Sequence, residues 1–517
     1  MRSQAPLALL LCSLAARCAW ADVRPAALFS DHMVVQSGMP VPVWGTANVG
    51  EHVTVTLNGA KAVATAGADG KWIVRLPKLK PGGPFAMTVA GKNTLTVNDV
   101  LIGEVWLGSG QSNMQFTVSK AHASYAGMLD EEKEIAAANY PQVRMFTVKP
   151  TKSLEPQADV QGEWQVCTPA VVGDWSAVGY LFARDLNQAL NLPVGIILSA
   201  YGASTAEAWV PRPVLAADPQ LKPVLDRFDA REAYFKAHPG STDADAPPAP
   251  QMLNARPPRA GSAAPLRDPV QDQHQPTVLY NAMIAPVVPY AIRGALWYQG
   301  ESIAGGASGL TLYPHIMEAL VSDWRREWGE GNFPFYAVQL AALKNISNNP
   351  VVREQQAKIL ALPNTGLAIT IDIGDPANVH PKNKEPLGRR LTSIALAQVY
   401  GRKLGYTGPM YAASKIEGGA IRVRFTHAAG LTAKDGPLKW FQIAGPDGRF
   451  VDADARIDGD SVVVSSAQIA SPAAVRYAWD NYPEGANLYN AAGLPAAPFR
   501  TDTFDALAPV AESFTGK

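Results

Sequence analysis

The sequence predicts an α/β protein: a three-layer αβα core with a five-stranded parallel sheet, extended at each end by an antiparallel β-sandwich domain. Three observations predict it. Residues from about 23 to 98, and again from about 405 onward, repeat apolar positions with a period of two between closely spaced turns. The residues between alternate short, nearly all-apolar runs with segments of helical period, as buried parallel strands joined by helical crossovers do. Those apolar runs end in small and polar residues, the composition expected at the reactive edge of an open parallel sheet.

Length and charge agree with this division. At 517 residues, 47% of them hydrophobic, the chain exceeds what one core serves. Its 45 Lys+Arg balance 45 Asp+Glu, so no net charge selects for nucleic acid or an anionic membrane. A neutral polymer or small molecule suits it better.

Residues 1–21 read as an export signal: Arg2 is a sparse positive start, Leu7 to Leu14 the apolar core, and Ala19-Trp20-Ala21 the small-x-small cleavage site before Asp22. The apolar core is too short to span a bilayer, and no other run reaches about 20 apolar residues. A periplasmic or secreted protein without a membrane span is expected. Cys12 and Cys18 leave with the signal, so Cys167 alone remains and no internal disulfide can form.

The N-terminal sandwich is assigned to 22–98. Val53 to Leu57 alternates and runs into Asn58-Gly59, a strong hairpin signal, and Trp72–Leu76, Phe85–Val89 and Thr94–Val97 follow. The core is assigned to 99–404. Its strands are Val100 to Leu107, Val194 to Leu198, Ala295 to Tyr298, Phe333 to Leu340 and Leu367 to Asp372; its helices are Val178 to Leu190, Tyr313 to Trp328, Val351 to Leu362 and Leu387 to Tyr400. From about 238 to 272 the chain is dense in Pro, Ala, Gly, Asp and Ser without apolar period, a surface insertion. The second sandwich takes 405–517, with strands at Ile421–Phe425, Trp440–Ile443, Val462–Val464 and Val475–Trp479.

Chemistry gathers at the strand ends. The first strand runs into Gly108-Ser109-Gly110-Gln111-Ser112-Asn113-Met114, which places Ser112 at the mouth of a turn; a serine there either caps the next helix or acts as a nucleophile. The second ends before Gly202, which can bring a bare backbone N–H to a ligand. The third ends at Gln299-Gly300-Glu301, offering a side-chain amide, and the fifth leads through Asp372 and Asp375 to His380. Ester hydrolysis needs a nucleophile, a base, an orienter for the base and donors for the oxyanion. Neither paired histidines at helical spacing nor a cysteine cluster occurs, so no metal is expected, and no phosphate-cradling glycine pattern calls for a cofactor.

Gly110-Gln111-Ser112-Asn113-Met114, Trp297-Tyr298-Gln299-Gly300-Glu301-Ser302 and the Asp-containing segment ending in His380-Pro381 together resemble the sialate O-acetylesterase family within the SGNH hydrolases. Carbohydrate esterases of acetylated plant polysaccharides are similar. The resemblance runs from about 23 to 505, and it implies an SGNH-hydrolase-like core, a serine esterase that removes O-acetyl groups from carbohydrate, and a return of Pro498–Asp502 to the catalytic domain.

It also implies Ser112 as nucleophile, His380 as general base, and an oxyanion hole of the Ser112 N–H, the Gly202 N–H and the Gln299 amide. Such enzymes commonly carry an aspartate three residues before the histidine; Ala377 stands there. Asp375, on the loop side, is then the expected orienting acid, with Asp372, Glu301 or a backbone carbonyl as alternatives. Two other readings stay open: a non-catalytic carbohydrate-binding protein on the same fold, or a lipid esterase.

Overall fold

The computed structural model describes residues 22–503 apart from 122, 243–244, 248–264, 304–306 and 347. The export segment, with Cys12 and Cys18, and much of the proline-rich insertion lie outside the described residues. No helix among the described residues is long and apolar enough to cross a membrane.

One strand organises the molecule. β1 (Thr94–Gly110) begins on the antiparallel N-terminal sheet, where it pairs with Gly82–Ala90, and continues into the centre of the parallel sheet. The division expected after residue 98 therefore falls inside a continuous strand. Its burial pattern gives the reason: most of its first six residues are exposed, whereas Val100 through Gly110 are all buried, as a strand covered on both faces must be. The N-terminal region adds a three-stranded sheet, and the two-residue loop Asn58-Gly59 joins His52–Leu57 to Ala60–Thr65 as expected.

The central sheet continues with β2 (Tyr140–Thr147), β3 (Trp164–Cys167), β4 (Val194–Ala200), β5 (Gly294–Tyr298), β6 (Phe335–Val338) and β7 (Thr365–Ala368). Their order is β3-β2-β4-β1-β5-β6-β7, with β3 antiparallel to β2 and every other pair parallel. The parallel sheet thus has six strands, not five. The additional strand, β2, is hidden in sequence because Pro141, Gln142 and Arg144 interrupt its apolar run; Arg144 is buried there with its guanidinium on Asp99 at 2.7 Å and on the Pro141 carbonyl at 2.9 Å.

The expected helices appear as α2 (Ala177–Leu190), α3 (Ala307–Trp328), α4 (Asn349–Ala357, extended by a 3₁₀ turn Lys358–Ala361) and α5 (Glu385–Gln398), following a four-residue α1 (Ser112–Gln115). Trp106 and Tyr336 point to one face, where Phe182 of α2 meets Trp106 edge-on at 5.1 Å and α2 packs on α5. Trp297 and Phe335 point to the other, against Trp324 of α3. All these rings are buried, so helices cover both faces of the sheet.

Two four-stranded antiparallel sheets close the chain, one built from Met410–Glu417, Ala420–Thr426, Asp454–Asp458 and Ser461–Ser465, the other from Phe441–Ala444, Phe450–Asp452, Ala474–Tyr477 and Phe499–Arg500. They face each other through Phe425 and Phe499, whose rings lie 5.7 Å apart. The segment expected to return to the core pairs instead with Ala474–Tyr477, and the Arg500 side chain crosses to Glu354 of α4 at 2.8 Å. A second clamp is Arg353, fully buried, which donates to the carbonyls of Leu340, Ala341, Asp480 and Asn481. It thereby ties the loop after β6 to the C-terminal region.

Candidate active site

The strand order fixes where a site forms. β1 lies between β4 and β5, and the chain leaves β1 to reach both edges of the sheet, so a crevice opens beyond the C-terminal ends of these three strands. Ser112 follows β1, Gly202 follows β4 and Gln299 follows β5. Gly110 makes the turn possible: its φ is +129°, and a Cβ there would stand 2.2 Å from the Tyr298 carbonyl oxygen. The loops are laced together. Gln111 N–H donates to the Tyr298 carbonyl, Tyr201 N–H to the Gly110 carbonyl, and the Gln111 side-chain oxygen accepts from the N–H groups of Gly300 and Ser302.

Ser112 and His380, 268 residues apart, meet here. The imidazole Nε2 lies 2.7 Å from the Ser112 Oγ. His380 sits in the loop between β7 and α5, stacked at a tilt on Tyr125 with ring centroids 4.5 Å apart. Burial, reinforced by the Lys384 ammonium, pushes the His380 imidazole down to about 4, so it is neutral at pH 7 and able to accept a proton.

Gly202 lies beside Ser112: a Cβ on it would be 3.7 Å from the Ser112 Cβ and 3.1 Å from the Gln115 side-chain oxygen. Among the described residues its N–H has no hydrogen-bond partner. The Ser112 N–H, at the first position of α1, has none within the helix. Gln299 is fully buried, with one amide N–H donated to the Ser204 carbonyl at 3.2 Å and its side-chain oxygen unpartnered.

The carboxylate expected to orient the histidine is bonded elsewhere in this structure. Asp375 accepts the backbone N–H groups of Ala377 and Asn378 with one carboxylate oxygen, closing the turn before His380, and makes no hydrogen bond to His380. A carboxylate two residues from the start of a tight turn satisfies its own main chain first. Asp372 is taken by Arg390, at 2.6 and 2.8 Å, and by the Tyr489 hydroxyl. Glu301 bonds Asn113. Among the described residues no group is bonded to the His380 Nδ1, and His380 is held through its main chain: Asn378 Oδ1 accepts the His380 N–H at 2.9 Å, and Asn113 donates to the neighbouring Val379 carbonyl at 2.9 Å.

Three residues that strand-end reasoning passed over thus belong to the site: Tyr125, Asn113 and Lys384. Asn113 lay within the motif, but no sequence pattern marks a lysine four residues past a histidine as buried. Lys384 is 1% exposed, and its ammonium donates to Asn113 Oδ1 at 2.6 Å between the rings of Phe116 and Tyr298. Burial pushes Lys384 down to about 7 against the opposing pull of Glu301, and burial raises the Glu301 carboxyl in turn.

A neutral imidazole on a strand-end serine, with free N–H groups beside it, is the equipment of a serine hydrolase. Comparison with known proteins agrees. The family described as carbohydrate esterase, sialic acid-specific acetylesterase, matches residues 268–397. The chain is 30% identical to the sialate O-acetylesterase of Rattus norvegicus, over 96% of this chain and 98% of that protein, and 30% identical to that of Homo sapiens, over 93% and 94%. A carbohydrate acetylesterase from Xanthomonas citri superposes with a TM-score of 0.79 at 36% identity, over 93% of this chain and all of that one. The chain is a carbohydrate esterase of the sialate O-acetylesterase family.

Proposed function

We propose that the protein removes O-acetyl groups from carbohydrate through an acetyl-enzyme, using a Ser112–His380 dyad. The observation that carries this reading is the 2.7 Å contact between the His380 Nε2 and the Ser112 Oγ. Ser112 Oγ attacks the acetyl carbonyl while its proton passes to His380 Nε2. The Ser112 and Gly202 N–H groups receive the oxyanion, with the second amide N–H of Gln299 as a third donor; one such donor is worth about 10²–10³ in rate. Collapse of the tetrahedral intermediate breaks the bond to the sugar oxygen, which takes the proton from His380 Nε2 and leaves as a hydroxyl. Water, deprotonated by the same imidazole, then attacks the acetyl-serine and releases acetate.

In this dyad Asp375 shapes the loop and does not touch the base. Residues 1–21 are assigned as a cleaved export signal, which places the reaction in the periplasm or outside the cell.

The test is acetate release from O-acetylated sialosides, acetylated xylo-oligosaccharides and xyloglucan fragments, with the names of the relatives putting sialosides first. Wild type releases acetate from at least one class, and Ser112→Ala releases none above background. Full activity in Ser112→Ala overturns the mechanism. Preference for long acyl chains over acetyl points to the lipid esterase reading instead.

A further inference from the structure

Directly behind the dyad lies a buried polar chain that ester hydrolysis, as written above, does not use. Lys384 Nζ donates to Asn113 Oδ1 at 2.6 Å, and the Asn113 amide nitrogen donates both to the Glu301 carboxylate and, at 2.9 Å, to the Val379 carbonyl. Asn113 is 1% exposed and Lys384 1% exposed, so both are removed from water. Placing a lysine there costs free energy that a methionine would not, because an ammonium must be desolvated. The contacts show what the arrangement accomplishes. Asn113 adjoins Ser112 and Val379 adjoins His380, so a single carboxamide joins the main chain of the nucleophile to the main chain of the base.

A carboxamide can face either way, and the ammonium decides which. Only an acceptor can face Lys384 Nζ while it is protonated, so the Asn113 oxygen turns to it, and the amide nitrogen turns to Glu301 and to the Val379 carbonyl, which can only accept. We infer that Lys384 and Asn113 are positioning residues: the buried ammonium fixes the Asn113 carboxamide so that it locks the Val379–His380 main chain onto the Ser112 turn, the task an orienting carboxylate performs in a triad. Glu301 supplies the counter-charge that lets the ammonium stay in the interior. The inference rests on the Ser112–His380 reading and deepens it.

Among the described residues, the groups that face the His380 ring are Ser112 from α1, Tyr125 from the loop that follows α1, and Lys384 from its own loop. Tyr125 is raised by burial and stays neutral, so Lys384 is the charge that acts on the imidazole at low pH. Lys384→Met keeps an unbranched apolar side chain in the buried site beside Phe116 and Tyr298 and removes the donor and the charge. In p-nitrophenyl acetate hydrolysis, kcat is expected to fall about 10–100-fold with little change in KM, because misplacement of a base by about 1 Å costs that much. The acid limb of kcat/KM is expected to rise by about one pH unit, since the imidazole no longer faces an ammonium. The limb reports the lost charge; the fall in kcat at unchanged KM reports the lost positioning, which a purely structural lysine would not produce.

Should Lys384→Met not fold, the Lys384→Met/Glu301→Gln pair removes both buried charges together and is expected to show the same kcat loss and the same limb shift. Asn113→Asp, which loses the amide donor, is expected to lose kcat at least as severely. Wild-type kcat in a folded Lys384 variant overturns the inference, wherever the acid limb falls. Ser112→Ala keeps the two failures apart: if it is inactive while Lys384→Met behaves as wild type, the dyad stands and the positioning device does not. If Ser112→Ala is active, the dyad itself is wrong.

Discussion

The state of His380 makes a prediction that can be worked in numbers. Its imidazole is pushed down to about 4 by burial and by Lys384, and only the neutral form accepts the Ser112 proton. Lowering the pH from 7 to 5 should therefore leave about 90% of the base competent, whereas a histidine at the ordinary value of about 6.5 would keep only about 3%. The two cases differ about 30-fold in kcat/KM at pH 5. Acetate release followed by its methyl resonance avoids chromophores that change with pH, and tryptophan fluorescence reports whether the chain stays folded. The acid limb is expected near pH 4. A limb near pH 6.5 in folded protein would refute the reasoning, because it would mean that the imidazole is hydrated or faces an anion, and that the packing of Tyr125 and Lys384 around it is not as described.

Two substitutions separate roles that sequence alone conflates. Asp375→Asn keeps an oxygen acceptor for the Ala377 and Asn378 N–H groups, so kcat should change by less than about threefold; a triad aspartate changed to asparagine loses about 10⁴, and a loss of that size, measured on any acetyl ester, would restore Asp375 to the mechanism. Gly110→Ala would drive a methyl group into the Tyr298 carbonyl at 2.2 Å in a left-handed backbone, between β1 and β5. It should destabilise the protein by roughly 3 kcal/mol or more and abolish activity, and an unchanged urea midpoint would count against the turn geometry.

Much of the fold was legible because burial writes itself into local pattern. All five expected core strands and all four expected helices appear, since fully buried strands are continuously apolar and amphipathic helices repeat every three to four residues. β2 escaped because one of its buried residues is an arginine, neutralised by an aspartate 45 positions away. The break expected at 98 escaped because a strand can pass from one sheet to another without any turn residue to mark the change. Segment Pro498–Asp502 joined the C-terminal sheet, since backbone pairing with Ala474–Tyr477 offers more partners than one arginine can reach.

The site divides in the same way. Sequence by itself determined which residues could do the chemistry: a serine after a glycine turn, a histidine after the last strand, and a glycine and a glutamine at the neighbouring strand ends, because strand order delivers strand ends to one edge. Only the tertiary structure decided what holds His380. Whether a carboxylate bonds an imidazole or the main chain of its own turn is settled by distances of a few ångströms, and Asp375 took the nearer partner. A lysine becomes an interior charge only when an asparagine and a glutamate from segments far apart in sequence close around it, and no stretch of chain around Lys384 records that they do.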